Sequence, residues 1–178
     1  MKNLGQFIIQ QLEDGKISMN FPFQHADKLD SYPQILQDAF NQPIQAVYLS
    51  SQAYIVELAS EIAVRAATAD FSLLKQLAIQ SEAQFGSFRD VLITAKGEQY
   101  DCISRYFAPY IGIDEDPVTG SIHTAVVPLW AEKLQKTELV AYQASKRGGE
   151  LFCKILPNQR IEISGYAKLY MTAEIILD

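Results

Sequence analysis

From residue 16 to residue 23 the chain alternates: Ile17, Met19 and Phe21 are apolar, while Lys16, Ser18 and Asn20 are polar. Side chains two apart share one face of a strand, so this stretch predicts a strand with one buried face. Residues 4–12 form a second apolar run, and Glu13-Asp14-Gly15 between the two is tight-turn chemistry, which together predict a hairpin. Pro22 cannot donate to a ladder and ends the pattern. Residues 32–40 change period: Ile35, Leu36, Ala39 and Phe40 have helical spacing, after Ser31 as N-cap and Pro33 in the first turn. Strands are expected over 44–49 and 54–59, and short helices over 61–67 and 71–79, with Asp70 as the cap between the helices. The polar, glycine-containing stretch 81–87 reads as a loop. Strands resume over 91–94 and 100–107, and four more are expected over 139–145, 151–156, 160–164 and 169–177. Gly148-Gly149 and Pro157-Asn158 supply turns among them.

One longer helix stands out over 121–134. Ile122, Ala125, Val126, Leu129, Trp130 and Leu134 form an apolar stripe wide enough to belong in a core. Pro128 inside it removes one hydrogen bond, which costs ~3 kcal/mol unless the bend is used, so a kink or a tightly packed bend is expected there. The elements add up to an α+β fold: a mixed, mostly antiparallel sheet wrapped around one central helix. No internal repeat or low-complexity segment interrupts it.

Composition narrows the classes of function. A chain of 178 residues suits one domain and is long enough to bury about two-thirds of its unfolded surface. Fifteen basic residues against 21 acidic ones give a net charge of -6, which argues against a polyanionic partner such as nucleic acid. The tight basic pair in a loop, Lys146-Arg147, is enough to hold one carboxylate and too small to track a phosphate backbone. No apolar stretch approaches the ~20 residues that span a bilayer, and residues 1–5 lack the apolar core of a signal peptide. Cys102 and Cys153 fall in strand-like runs without other ligands nearby in sequence, and read as buried reduced thiols. The expectation is a cytoplasmic protein with no membrane partner. His25, in a polar loop, is expected to be exposed.

The chemistry concentrates in Ser104-Arg105-Tyr106-Phe107-Ala108-Pro109 and in the run from Gly112 to His123, Gly-Ile-Asp-Glu-Asp-Pro-Val-Thr-Gly-Ser-Ile-His. This segment is expected to pass from a strand end through a tight loop into the buried helix. Pro117 forces Asp116 out of the helical region, and Gly120 permits close backbone approach. The amides of Gly120, Ser121 and Ile122 would then face outward at the positive end of the helix dipole, an anion site suited to a carboxylate. The Ser121 hydroxyl would add a hydrogen bond, and Asp116 at the rim would orient the bound acid or exchange a proton with it. The same residues would equally serve a turn with a helix cap, and an imidazole such as His123, one turn into a buried helix, is more often packed than catalytic. Glu115 and Asp116, adjacent in an extended segment, are expected to point apart. No metal-ligand cluster, nucleotide-binding glycine fingerprint or Ser-His-Asp arrangement is readable.

Glu115-Asp116-Pro117-Val118-Thr119-Gly120-Ser121 resembles the second-half signature of the PhzF-like isomerases of phenazine-biosynthesis type, whose fold resembles diaminopimelate epimerase. Residues 104–109 before it, Pro128-Leu129-Trp130-Ala131-Glu132 in the helix, residues 143–151 (Gln-Ala-Ser-Lys-Arg-Gly-Gly-Glu-Leu) and Ser164-Gly165-Tyr166-Ala167 also match the family pattern; residues 79–87 do not. The resemblance implies one half of a two-half fold, each half a sheet around a helix whose N-terminus points at the substrate. It also implies proton transfer on a small carboxylic acid without metal or organic cofactor. Asp116 takes the place of the second-half catalytic aspartate and Ser121 that of the substrate-contacting serine. His123 matches a Gly-Ser-x-His variant and is a secondary catalytic candidate. Thr119, Gly120, Arg105 and Arg147 are the further candidate contacts to the bound acid.

The family's acid-base glutamate and Gly-His motif belong to its first half and have no equivalent here. The chain is therefore expected to be a single domain over 1–178, corresponding to the second, C-terminal domain, with Met1 near the crossover between halves. It would be completed by a separate first-half subunit or by a second copy of itself in a homodimer. The alternative is a non-catalytic domain that keeps only a small-carboxylate site.

Overall fold

Alternating burial along the strands divides the protein into two cores on the two faces of one sheet. The computed structural model describes residues 8–174. Its sheet has 11 strands: β1 (Ile8–Gln11), β2 (Ile17–Pro22), β3 (Asp27–Lys28), β4 (Ile44–Leu49), β5 (Ala53–Leu58), β6 (Asp90–Lys96), β7 (Cys102–Ala108), β8 (Ile113–Asp116), β9 (Glu138–Gln143), β10 (Gly149–Leu156) and β11 (Arg160–Gly165). Across the sheet they run β1-β2-β11-β10-β9-β7-β6-β5-β4-β3, with β8 paired to β7 off this path. The β5–β6 and β7–β9 pairs are parallel and the others antiparallel. The fold is thus α+β with a mixed sheet. Among the described residues no helix is long and apolar enough to cross a membrane.

The long helix α4 (Gly120–Leu134) lies on one face. Its Ile122, Ala125, Val126, Val127, Trp130 and Ala131 share a buried cluster with residues of β4–β7 and β9–β11, among them Tyr48, Ile55, Leu92, Tyr106, Ala141, Leu151 and Ile161. One helix can meet so many strands only if the sheet curls around it. Trp130 Nε1 donates to Thr94 Oγ1 at 3.0 Å, and Thr94 donates on to the Ile103 carbonyl at 2.7 Å, so the indole docks the helix on the sheet with its polar edge satisfied. α4 remains one element through Pro128. The missing proline N–H leaves the Thr124 carbonyl, four residues earlier, without its helical partner, and the Gln24 amide fills that vacancy at 2.9 Å.

The opposite face is covered too, which departs from a sheet around a single helix. The helices α1 (Gln34–Asp38), α2 (Glu61–Ala66) and α3 (Phe71–Phe85) pack Leu36, Val64, Leu74 and Leu77 against Val47, Val56, Ile93, Ile103 and Phe107. α3 also overturns the loop expected over 81–87 as far as Phe85; Gly86 and Ser87 do lie outside the helix. Its buried positions are Leu74, Leu77, Ala78 and Ser81, a helical stripe whose last member is polar. Ser81 is tolerated there because its Oγ donates to the Ala78 carbonyl (2.7 Å) and accepts from the Arg89 amide (2.7 Å). The helix ends at Gly86, in the left-handed region at φ 74°. Asp70 caps its start through the Ser72 and Leu73 amides. α1 begins later than expected, with Pro33 rather than Ser31 at the N-cap and no side-chain cap.

Two further expectations need correction. The loop before the central helix contains a strand: β7, a 3-10 turn (Pro109–Ile111) and β8 make a hairpin in which Tyr106 pairs with Asp116. The strand expected over 169–177 is not formed over 169–174, where Leu169, Tyr170 and Met171 are 87, 95 and 69 % exposed; residues 175–177 lie outside the described residues. Apolar composition suggested a strand there, but among the described residues no strand pairs with it.

Candidate active site

β7 sorts its side chains by parity. Cys102, Tyr106 and Ala108 belong to the α4 core, Ile103 and Phe107 to the other. Arg105 therefore leaves on the face away from α4. Its guanidinium forms a two-pronged ion pair with Glu115 (2.7 and 3.0 Å) and donates to the Val64 and Ala67 carbonyls at 3.3 and 2.7 Å. Those contacts occupy Arg105 in holding β8 against α2, so it does not reach the site proposed for it. Glu115 and Asp116 do point apart: Glu115 follows Arg105, and Asp116, across from Tyr106, faces the cleft.

That cleft, of about 470 Å3, is lined by Asp116, Thr119 and Ser121, with Gln52, Asp90 and Tyr106 opposite and Phe88, Ala108, Ile111 and Ile113 as apolar walls. Thr119 is the N-cap of α4 and makes no side-chain cap bond, so the first-turn amides have neither a helical acceptor nor a capping oxygen. The Thr119 hydroxyl instead donates to Asp116 Oδ2 in a short bond. Asp116 Oδ1 has no protein partner among the described residues. Mostly apolar walls around a few convergent polar groups are the usual make-up of a small-molecule site.

Buried Gln143 holds the bend that carries these groups. Its Nε2 donates to the Asp116 carbonyl (2.7 Å) and Thr119 Oγ1 (3.2 Å), while its Oε1 accepts from the Thr119 amide (2.8 Å). Ser145 adds a bond to the Pro117 carbonyl at 2.8 Å. Gln143→Leu leaves these groups unpaired and is expected to lower the unfolding free energy by about 1–3 kcal/mol. An unchanged urea midpoint would show that Pro117 and Ser145 hold the bend alone.

His123 is not at the cleft surface. It is 0 % exposed, beneath the bend. Its Nδ1 is 2.7 Å from the Thr119 carbonyl and must carry the proton, so Nε2 accepts from the Ser104 hydroxyl at 3.3 Å. Burial pushes its pKa down to about 4, and the Thr119 bond opposes the shift only in part. A neutral, inaccessible imidazole cannot touch a substrate, so its catalytic assignment gives way to a role in supporting the bend. Gly120 and Arg147 face a second hollow of about 940 Å3, together with Val118, Gly149 and Tyr166. The N-terminus of α4 thus stands between two clefts, with Asp116, Thr119 and Ser121 in one and Gly120 and Arg147 in the other.

Two polar residues of the first cleft, Asp90 and Gln52, escaped the sequence reading, and Tyr106 stood in the flagged stretch without a role. Asp90 is only 6 % exposed; burial raises its pKa, against the opposing effect of a 2.6 Å bond from the Tyr106 hydroxyl. Burial and Asp90 together drive the Tyr106 phenol well above its ordinary value. Gln52 Nε2 donates to the Tyr106 hydroxyl and to Ser121 Oγ, both at 3.0 Å. A signal for Asp90 existed, an acid continuing the apolar run Val91-Leu92-Ile93; Gln52, in a hairpin turn, gave none.

A family model described as phenazine biosynthesis-like protein (PhzC-PhzF) matches residues 10–173. The chain belongs to the phenazine biosynthesis-like family. It is 41% identical over 165 residues to an uncharacterized isomerase of Pseudomonas aeruginosa, a match covering 93% of this chain and 59% of that protein. An uncharacterized isomerase of Halalkalibacterium halodurans is 38% identical, with 90% and 58% covered. The crystal structure of a PhzF-family phenazine biosynthesis protein from Enterococcus faecalis superposes with a TM-score of 0.81 at 34% identity, covering 95% of this chain and 60% of that one. The chain therefore spans about 60% of the length of the PhzF-like proteins it matches.

Proposed function

We propose that this chain supplies one wall of an isomerase site that moves a proton on a small carboxylic acid in the cytoplasm, without metal or organic cofactor. It would be the second half of a diaminopimelate epimerase-like fold, facing a first half across the cleft. The observation that carries this reading is the convergence of Asp116, Thr119 and Ser121, at the uncapped start of α4, on one cleft with apolar walls. A carboxylate at the helix end would gain the first-turn amides and the Ser121 hydroxyl. Asp116 Oδ1 would then meet the carbon skeleton, to orient it or exchange its proton. One wall can hold an acid on one side of the reacting carbon, whereas isomerisation needs a second group across from it. The match covers 58–59% of relatives named as isomerases, so a further part of each lies outside it. An apolar edge is available for docking: Ile8, Ile9 and Ile17 of the β1–β2 hairpin, together with Tyr166, Leu169, Tyr170 and Met171, are exposed.

The test mixes the chain with a first-half polypeptide in deuterated water and follows deuterium entry at carbon in a panel of amino and hydroxy acids. Complex formation with exchange is the expected result. The absence of both would remove the proposal, and carboxylate binding without exchange would leave a binding domain in its place.

A further inference from the structure

The cleft holds a continuous hydrogen-bond chain, Asp90–Tyr106–Gln52–Ser121, whose direction follows from proton counting. The Tyr106 hydroxyl has one proton and gives it to Asp90 Oδ2 at 2.6 Å. Asp90 Oδ1 has no hydrogen-bond partner among the described residues, so that bond is the one they give the carboxyl group. A buried carboxyl oxygen left bare is costly, and the Tyr106 proton is therefore held at Asp90. Tyr106 is left with lone pairs only for its other neighbour, which must donate. Gln52 accordingly turns its NH2 end inward, and that one nitrogen spends its two protons on Tyr106 and Ser121, each at 3.0 Å. Ser121 Oγ accepts from Gln52 and makes no other hydrogen bond among the described residues, so its own proton is free to point into the cleft.

We infer that Asp90 and Tyr106, acting through Gln52, are positioning residues that make Ser121 an obligate hydrogen-bond donor and so set the cleft's preference for an anion over a neutral isostere. This inference rests on the proposed reading of the cleft as a carboxylate site and assigns its selectivity to residues that need not touch the ligand. Asparagine at position 90 can present an N–H to Tyr106. Each link then reverses: Tyr106 donates to Gln52, the amide turns its oxygen inward, and the Ser121 proton is drawn away from the ligand. Phenylalanine at position 106 cuts the chain and leaves the Gln52 amide free to turn.

The experiment measures dissociation constants of the 178-residue chain for benzoate and benzamide, a pair of matched shape, by NMR titration in the wild type, Asp90→Asn and Tyr106→Phe. The wild type is expected to prefer benzoate, and at least one folded variant should reduce that preference about tenfold, the worth of a charge-assisted hydrogen bond. Loosened packing alone would weaken both ligands together and leave their ratio unmoved. If the wild type prefers benzoate and both variants keep the ratio, the inference falls and the anion site stands. If the wild type shows no preference, the anion site falls and the inference with it.

Discussion

Replacing Asp116 by asparagine, in the chain combined with its completing half, is expected to slow solvent exchange at the substrate carbon by about 10²–10⁴-fold, the usual worth of a positioned acid or base. The substitution is conservative in shape. Asparagine can still accept from the Thr119 hydroxyl through its oxygen, and the Asp116 backbone carbonyl remains tied to Gln143. The bend and the helix end should therefore survive, and so should affinity for the carboxylate, which depends on the first-turn amides and Ser121. What is lost is the oxygen that Thr119 leaves unpaired, the one able to take or give a proton. Deuterium incorporation in the reconstituted pair measures this directly, with ligand affinity as the control. An unchanged exchange rate would move proton transfer off this half and leave Asp116 as a structural link of the bend.

Strand and helix positions were legible where one face of an element is apolar and the other polar. The α4 stripe shows this; the β2 alternation located a strand, but burial along it does not follow the apolar positions, since Ile17 is exposed and Ser18 is the buried residue. Legibility failed where a polar residue completes a buried stripe, as Ser81 does in α3, because its hydrogen bonds to Ala78 and Arg89 depend on the folded chain. It failed again over 169–174, where apolar residues without a partner strand stay exposed. The site divides along the same line. The Asp116–Ser121 bend is a local device of one proline, one glycine and a helix start, and its residues can be named from the chain alone. Arg105 was misplaced because its destination is settled by strand parity and by Glu115, which forms a strand rather than a loop. Gln52 and Asp90 come from a different hairpin and a different strand; Gln52 bonds Ser121 directly, and Asp90 reaches it only through the Tyr106 hydroxyl and Gln52. Such a contact is a property of the tertiary fold, with no counterpart in local sequence spacing.

His123 should make the protein acid-labile within a defined window. Its pKa falls from 6.5 to about 4 on folding, because burial disfavours the imidazolium. The unfolded chain therefore binds the proton more tightly than the native state does. Between those two values the unfolded state carries more protons, so stability rises with pH; it is fully present above 6.5 and is lost as pH drops toward 4. A shift of that size corresponds to about 3 kcal/mol, a large fraction of the stability of an ordinary domain. Protonation would also put an N–H on Nε2, where Ser104 now donates, so that the Ser104 hydroxyl would have to turn away. Asp90 works in the opposite sense, since its raised pKa makes stability fall as pH rises above the ordinary carboxylate range. The His123 contribution is therefore read as a difference. Urea unfolding at pH 7 and pH 4.5 should show the wild type losing about 2–3 kcal/mol more than His123→Gln, whose amide can occupy the cavity without titrating. Equal losses would mean that His123 is protonated in the native state at the lower pH, and that the ground beneath the Asp116–Thr119 bend is wetter and more accessible than its burial implies.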